Sequence, residues 1–278
     1  MQTTTSFAAL VVSSALLAAC GPSGDTAPAA SADNAAAAAH PARIGGHPNL
    51  NGVWQAMNTA NWNLEGGPMQ AVTEFWKLGA LFAIPPGESV VEGGPIPYLP
   101  EALEQRNKNR ASWPANDPEA KCFRAGIPRS TYLPYPFQIV QSQGDIFFAY
   151  EYATANRVVN MGKPREAATD TWMGTSNGRW EGETLVIEVT GLNGLSWLDR
   201  AGNFAGDSAR VTERYTAVSP DRLLYEATIE DPKVFTRPWK ISMPLYRRSE
   251  KNAQILEFKC VEFAEELLYG KHRKQLSQ

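Results

Sequence analysis

From Pro136 to Phe263 the chain reads as short runs of branched and aromatic residues, broken by turn residues about every 8–12 positions. The runs predict strands over residues 137–142, 145–152, 156–161, 171–180, 183–190, 208–218, 222–230, 239–248 and 255–263. Glu181-Gly182 and Ser219-Pro220-Asp221 fall between neighbouring runs, as hairpin turns do. No long amphipathic helix separates the runs, so the connections look too short for parallel crossovers. The predicted fold is mainly β: an antiparallel meander of about 8–9 strands, forming a lipocalin-like barrel or a curved half-barrel.

Period-two alternation assigns the faces. Leu185, Ile187 and Val189 share one face, as do Leu223, Tyr225, Ala227 and Ile229, and again Trp239, Ile241, Met243 and Leu245. Leu256, Phe258 and Cys260 form a further set, which predicts an inward Cys260. Along 211–217 the apolar face carries Val211, Tyr215 and Ala217, and Glu213 falls on that same face.

Upstream the pattern is weaker. Leu50 to Trp54 predicts an opening strand, and residues 71–83 a short amphipathic helix with Phe75, Trp76, Leu78, Leu81 and Phe82 on its apolar face. Pro100 suits a helix first turn and is followed by Glu101 and polar residues through Arg110, which predicts a second, mostly solvated helix.

The N-terminus changes the picture. Residues 1–19 carry no charge, and the apolar run Phe7–Ala19 is too short to span a bilayer but fits a secretory leader. Leu17-Ala18-Ala19-Cys20 resembles the bacterial lipobox, whose cysteine is lipidated; the alternative is a plain signal peptide with a chance cysteine. Gly21 after that cysteine resembles the sorting pattern of outer-membrane lipoproteins, facing the periplasm. Gly21 to Pro48 is rich in Ala, Pro, Gly, Ser and Asp and reads as a disordered tether. The expected organisation is a leader at 1–19, a lipidated cysteine and tether at 20–48, a single barrel-like domain at 49–270, and a basic tail at 271–278. In an oxidising periplasm the two remaining cysteines, Cys122 and Cys260, are expected to pair, with a stabilisation of about 4 kcal/mol. The formal net charge of −3 argues against nucleic acid and against electrostatic membrane docking. Eight Trp suggest a generous core or a ligand cavity.

The chemistry is defined as much by what is missing. His40 and His47 lie in the expected tether and His272 in the basic tail, so a histidine-free core leaves no Ser-His-Asp or Cys-His catalysis and no His-ligated metal site. Gly174-Thr175-Ser176-Asn177-Gly178 has the spacing of a nucleophile elbow, but a hairpin rather than a helix should follow it. Carboxylate, guanidinium and phenol remain. Burial disfavours the charged form of an inward Glu213, which suits a proton donor or acceptor. Asp199 and Arg200, in the loop after Trp197, are placed beside it at a barrel mouth, with Arg200 or Arg214 holding an oxyanion. Tyr152, Arg157, Trp180, Trp197 and Glu230 are candidate lining residues. The structural alternative is that Arg157, Arg179 or Arg200 neutralises Glu213, that Asp199 caps a turn and that the tryptophans are core.

With those residues laid out, the chain resembles a family of exported bacterial proteins without an assigned activity. The likeness rests on Asp117-Pro118-Glu119-Ala120-Lys121-Cys122, Gly126-Ile127-Pro128-Arg129, Pro136-Phe137-Gln138-Ile139-Val140, Trp172-Met173-Gly174 with Gly178-Arg179-Trp180-Glu181-Gly182, Trp197-Leu198-Asp199-Arg200, Val211-Thr212-Glu213-Arg214, Asp231-Pro232, Pro238-Trp239 and Glu257-Phe258-Lys259-Cys260-Val261-Glu262. The resemblance implies no reaction. It implies histidines in the loop after the Asp-Arg pair in relatives, at positions held here by Asn203 and Ala205.

The expected function is a lipid-anchored periplasmic barrel that binds an apolar or aromatic small molecule. Two extensions stay open: cofactor-free and metal-free acid–base turnover by Asp199, Glu213, Arg200 and Arg214, as in an isomerase, lyase or hydrolase, or a carrier or envelope scaffold without turnover.

Overall fold

The computed structural model describes residues 42–66 and 87–269. A small hairpin, β1 (Arg43–Ile44) and β2 (His47–Pro48), precedes β3 (Gly52–Ala56). Then come α1 (Pro100–Ala111), α2 (Arg129–Tyr132), β4 (Phe137–Gln141), β5 (Ile146–Tyr150) and β6 (Asn156–Asn160). They are followed by β7 (Thr175–Glu181), β8 (Thr184–Thr190), β9 (Arg210–Ser219), β10 (Arg222–Glu230), β11 (Trp239–Arg247) and α3 (Ala264–Tyr269). Strands β3 to β11 close into a barrel in the order β10-β11-β3-β4-β5-β6-β7-β8-β9. Closure comes from the last strand meeting the first, with Leu245 opposite Ala56 and Arg247 opposite Trp54.

Two expectations about the strands are corrected. The barrel is mixed rather than an antiparallel meander, because β6 and β7 run parallel, Val159 opposite Ser176 and Asn160 opposite Asn177. The connection 161–174 returns the chain to the starting end without a helix. The Asn177 amide holds it against β7, accepting from Arg165 N at 2.8 Å and donating to Arg165 O at 2.9 Å. The second correction is the segment 255–263, which is not a strand. The Gly52–Ala56 strand already takes the free edge of β11, so no ladder remains for it. Leu256 is exposed and Cys260 is only half-buried. The segment lies in extended form on the outside, fixed by the Cys122–Cys260 disulfide across a sequence separation of 138 and by Phe258 against Tyr135 and Tyr152.

The first turn of α1 holds Pro100 and Glu101 and the last Lys108 and Arg110, an arrangement that complements the helix dipole. Only Ala102 and Asn109 are buried on it. The helix expected over 71–83, the leader, Cys20 and the basic tail lie outside the described residues. His47 sits in β2, stacked on Trp180 with ring centroids 4.4 Å apart, so folded structure begins ahead of Asn49 and includes a histidine.

Inward positions fill the barrel. Phe137, Phe148, Leu185, Ile187, Tyr215 and Tyr225 are all fully buried. One end is plugged by α2 and by the loops before β4 and before β9. The other is crossed by the β1–β2 hairpin, held by the Arg43–Glu183 pair at 2.8 Å and by the His47–Trp180 stack.

Candidate functional site

Glu213 points into the barrel, as alternation predicts, and is fully buried. It is not a lone acid. Arg157 Nη1 lies 2.5 Å from its Oε2, and the Tyr215 and Tyr225 hydroxyls each donate to Oε1 at 2.9 Å. Arg157 also donates to Tyr215 Oη at 3.2 Å and lies 4.6 Å from the Phe148 ring centre. Burial opposes the charge of Arg157, but Glu213 holds it protonated, well above its ordinary value. Burial raises the Tyr215 and Tyr225 hydroxyls well above the phenolic range, and the neighbouring Glu213 carboxylate adds to the effect. This is the neutralised arrangement, with Arg157 as the partner.

Asp199 is buried at the plugged end, apart from that knot. It accepts from Leu64 N at 2.8 Å, Asn203 N at 3.1 Å and Asn203 Nδ2 at 2.6 Å. It thereby pins the 57–66 loop to its own. Burial raises its carboxyl to about 6 against these hydrogen bonds. Arg200, the next residue, turns to a separate chain of charges. It donates to Glu119 Oε2 and Oε1 at 3.0 and 3.1 Å, and to Glu265 Oε2 and Oε1 at 3.0 and 2.9 Å. Arg129 continues the chain, 2.9 Å from Asp117 and 3.4 Å from Glu119. Burial pushes the Glu119 carboxyl up, but Arg200 and Arg129 outweigh it and hold the group below the carboxylate range. The fork of Arg200 is thus engaged by two carboxylates, not held ready for an oxyanion.

The remaining expected site residues scatter. Arg214 is on the outer face, paired with Glu181 at 2.7 Å, because it alternates with the inward Glu213. Glu230 is exposed at the end of β10. Trp197 is buried near the Arg129 cluster, its carbonyl 3.5 Å from Arg129 Nη1. Tyr152 is buried outside the barrel and donates to Glu119 O at 2.6 Å. Ser176 lies inside β7, which runs into a hairpin, so no nucleophile elbow forms. Asp199, Glu213, Arg200 and Arg214 therefore do not converge.

Accessible concavity lies elsewhere. At the hairpin-covered end a cleft of about 390 Å³ opens beside β2, lined by Pro48, Asn49, Asn51, Trp54, Ala217, Val218, Pro220, Asp221, Leu223 and Arg247 among others. A register shift at Arg222/Leu223 marks the turn at its rim. Arg247 is the inward residue that continues the Trp239–Leu245 stripe, facing Trp54 across the ladder. Its guanidinium lies 4.2 Å from the Trp54 ring centre. Gly52 makes this possible: a Cβ there would sit 1.9 Å from Arg247 Nη1. Sequence reading missed Arg247, although extending the period-two stripe by one step beyond Leu245 would have found an inward cation. A second cleft of about 210 Å³ lies under the disulfide-tethered segment, with Trp113, Tyr135, Tyr152 and Phe258 among its walls and Glu119, Arg200 and Glu265 among its polar lining. Neither cleft is lined by Glu213, Asp199 or Arg157.

No protein-family model matches this chain, and no curated protein matches it. The functional reading therefore rests on the geometry.

Proposed function

We propose that this protein is an exported, lipid-anchored β-barrel that binds an apolar or aromatic small molecule in the cleft at its hairpin-covered end, without turning it over. The observation that carries the reading is the separation of acids from accessible space. Glu213 and Asp199 are saturated by protein partners in closed interior, whereas the 390 Å³ cleft combines apolar walls with few polar groups, the usual make-up of a ligand site. Export and anchoring at Cys20 are supported by the leader pattern, and the disulfide suits an oxidising compartment. The reading agrees with the exported bacterial family that the motifs resemble.

The test is a titration of the purified protein with a panel of naphthalene and medium-chain aliphatic compounds, followed by calorimetry. Binding by the wild type and at least tenfold weaker binding by Ala217→Phe, which fills the cleft from an inward position, supports the reading. Equal binding by both variants moves the ligand elsewhere. For the anchor, palmitate label on the wild type that persists in Cys20→Ala contradicts lipidation at that residue.

A further inference from the structure

Within the cleft at the barrel mouth, Arg247 is a cation whose fork is held by neutral groups. Its Nε donates to Pro220 O at 2.8 Å and its Nη1 to Asn51 O. Among the described residues Nη2 has no hydrogen-bond partner. The carboxylate nearest to it is Asp221, 3.5 Å from Nε, and that side chain is 75% exposed while Arg247 is 21% exposed. An exposed carboxylate at that distance is screened by water and offsets little of the charge. Burial accordingly pushes the guanidinium below its ordinary value despite Asp221. Among the described residues the three buried guanidinia are each met by carboxylate: Arg157 by Glu213, Arg129 by Asp117 and Glu119, and Arg200 by Glu119 and Glu265. Arg247, partly buried in the wall of the cleft, has only the exposed Asp221.

Its position is also fixed in advance. The face of Trp54 lies beneath it, two backbone carbonyls hold two of its nitrogens, and the missing Cβ of Gly52 leaves it room. A guanidinium held in one place and short of negative charge is an anion receptor.

We infer that the ligand of the mouth cleft is an amphiphilic monoanion, an apolar body ending in a carboxylate that pairs with Arg247. This rests on the mouth-cleft reading and adds the ligand's chemical class to it. One cation lines the cleft, so a dianionic phosphate head would keep one charge unmatched and is disfavoured. Leu223, Ala217, Val218 and Pro48 receive the apolar body.

The experiment compares matched pairs on the full chain by calorimetry: decanoate against decanol, and 2-naphthoate against 2-naphthol. Each is repeated with Arg247→Met, which keeps an apolar stem over Trp54, and with Arg247→Lys. Losing one charge-assisted pair predicts a carboxylate preference of about tenfold or more in the wild type, abolished by methionine and partly retained by lysine. Salt weakens the acids and not the alcohols. Equal affinity for acid and neutral partner overturns the carboxylate assignment and leaves the cleft reading standing. Failure of all four compounds to bind overturns the cleft reading, and this inference with it. If Arg247→Met does not fold, the acid-to-alcohol ratio and its salt dependence in the wild type decide the matter alone.

Discussion

At the scale of single residues, the interior acids are held by protein partners, which predicts a structural role for them. Arg157→Met leaves Glu213 buried without its cation, and removal of one partner of a buried pair costs about 3–5 kcal/mol. Glu213→Gln keeps hydrogen bonds to Tyr215 and Tyr225 in reach and is expected to lower stability while leaving ligand affinity unchanged. Denaturant melts together with a binding titration separate the two effects, and loss of binding at full stability in Glu213→Gln contradicts the structural assignment. Asp199 gives a pH signature. Its folded carboxyl is raised by burial to about 6 from an ordinary value of 3.8, so the folded state holds the proton more tightly than the unfolded chain. The stability this contributes is complete below about pH 4 and is lost as pH rises through 6. Relative to Asp199→Asn, the wild type should lose on the order of 3 kcal/mol between pH 4 and pH 7, read from urea midpoints across that range. A constant difference between the two proteins across that range refutes the assignment. How much of this was legible varies by residue. Alternation revealed that Glu213 faces inward, because period two is a local property. It could not reveal that Arg157, 56 positions away, is the partner, since that pairing depends on how the barrel closes. Nor could it show Asp199 and Arg200 turning to different clusters, which is settled by the loops that plug one end.

At the scale of elements, eight of the nine barrel strands follow the runs read from the sequence after Pro136, and the ninth is the Leu50–Trp54 region in place of 255–263. Both segments alternate well. What separates them is long-range: β3 fits between β11 and β4, whereas residues 255–263 are tied by Cys260 to Cys122, whose backbone takes a left-handed φ of 64°. The parallel β6–β7 pair was hidden for a similar reason, as the 161–174 crossover is built from loop and held by the Asn177 amide rather than by a helix with a visible period. The disulfide closes a long loop, and its removal by Cys122→Ala with Cys260→Ala is expected to cost about 3–5 kcal/mol. The same change loosens the outer segment, so amides near Phe258 and Glu265 should exchange faster than barrel amides in hydrogen-exchange measurements. Uniform acceleration across the barrel contradicts the view of this segment as a strap laid on an independently closed sheet.

At the scale of the whole molecule, the barrel has two unlike ends. One is sealed by the Asp117–Arg129–Glu119–Arg200–Glu265 chain of charges, which satisfies itself. The other is roofed by a short hairpin and leaves one inward guanidinium with only an exposed carboxylate near it, beside apolar wall. That asymmetry is why recognition is proposed at the hairpin end, with the plugged end as a brace. The lipocalin-like hollow expected from the sequence is smaller in fact, since aromatic side chains and the Glu213 knot occupy the barrel centre and confine open space to the rim. The most direct measurement is mass spectrometry of small molecules released by denaturing protein purified from its own cells, with the wild type and Ala217→Phe compared side by side. An apolar acid released from the wild type in near-stoichiometric amount and absent from Ala217→Phe is the predicted result. Release of the same molecule in equal amount from both variants, or of nothing from either, contradicts the account.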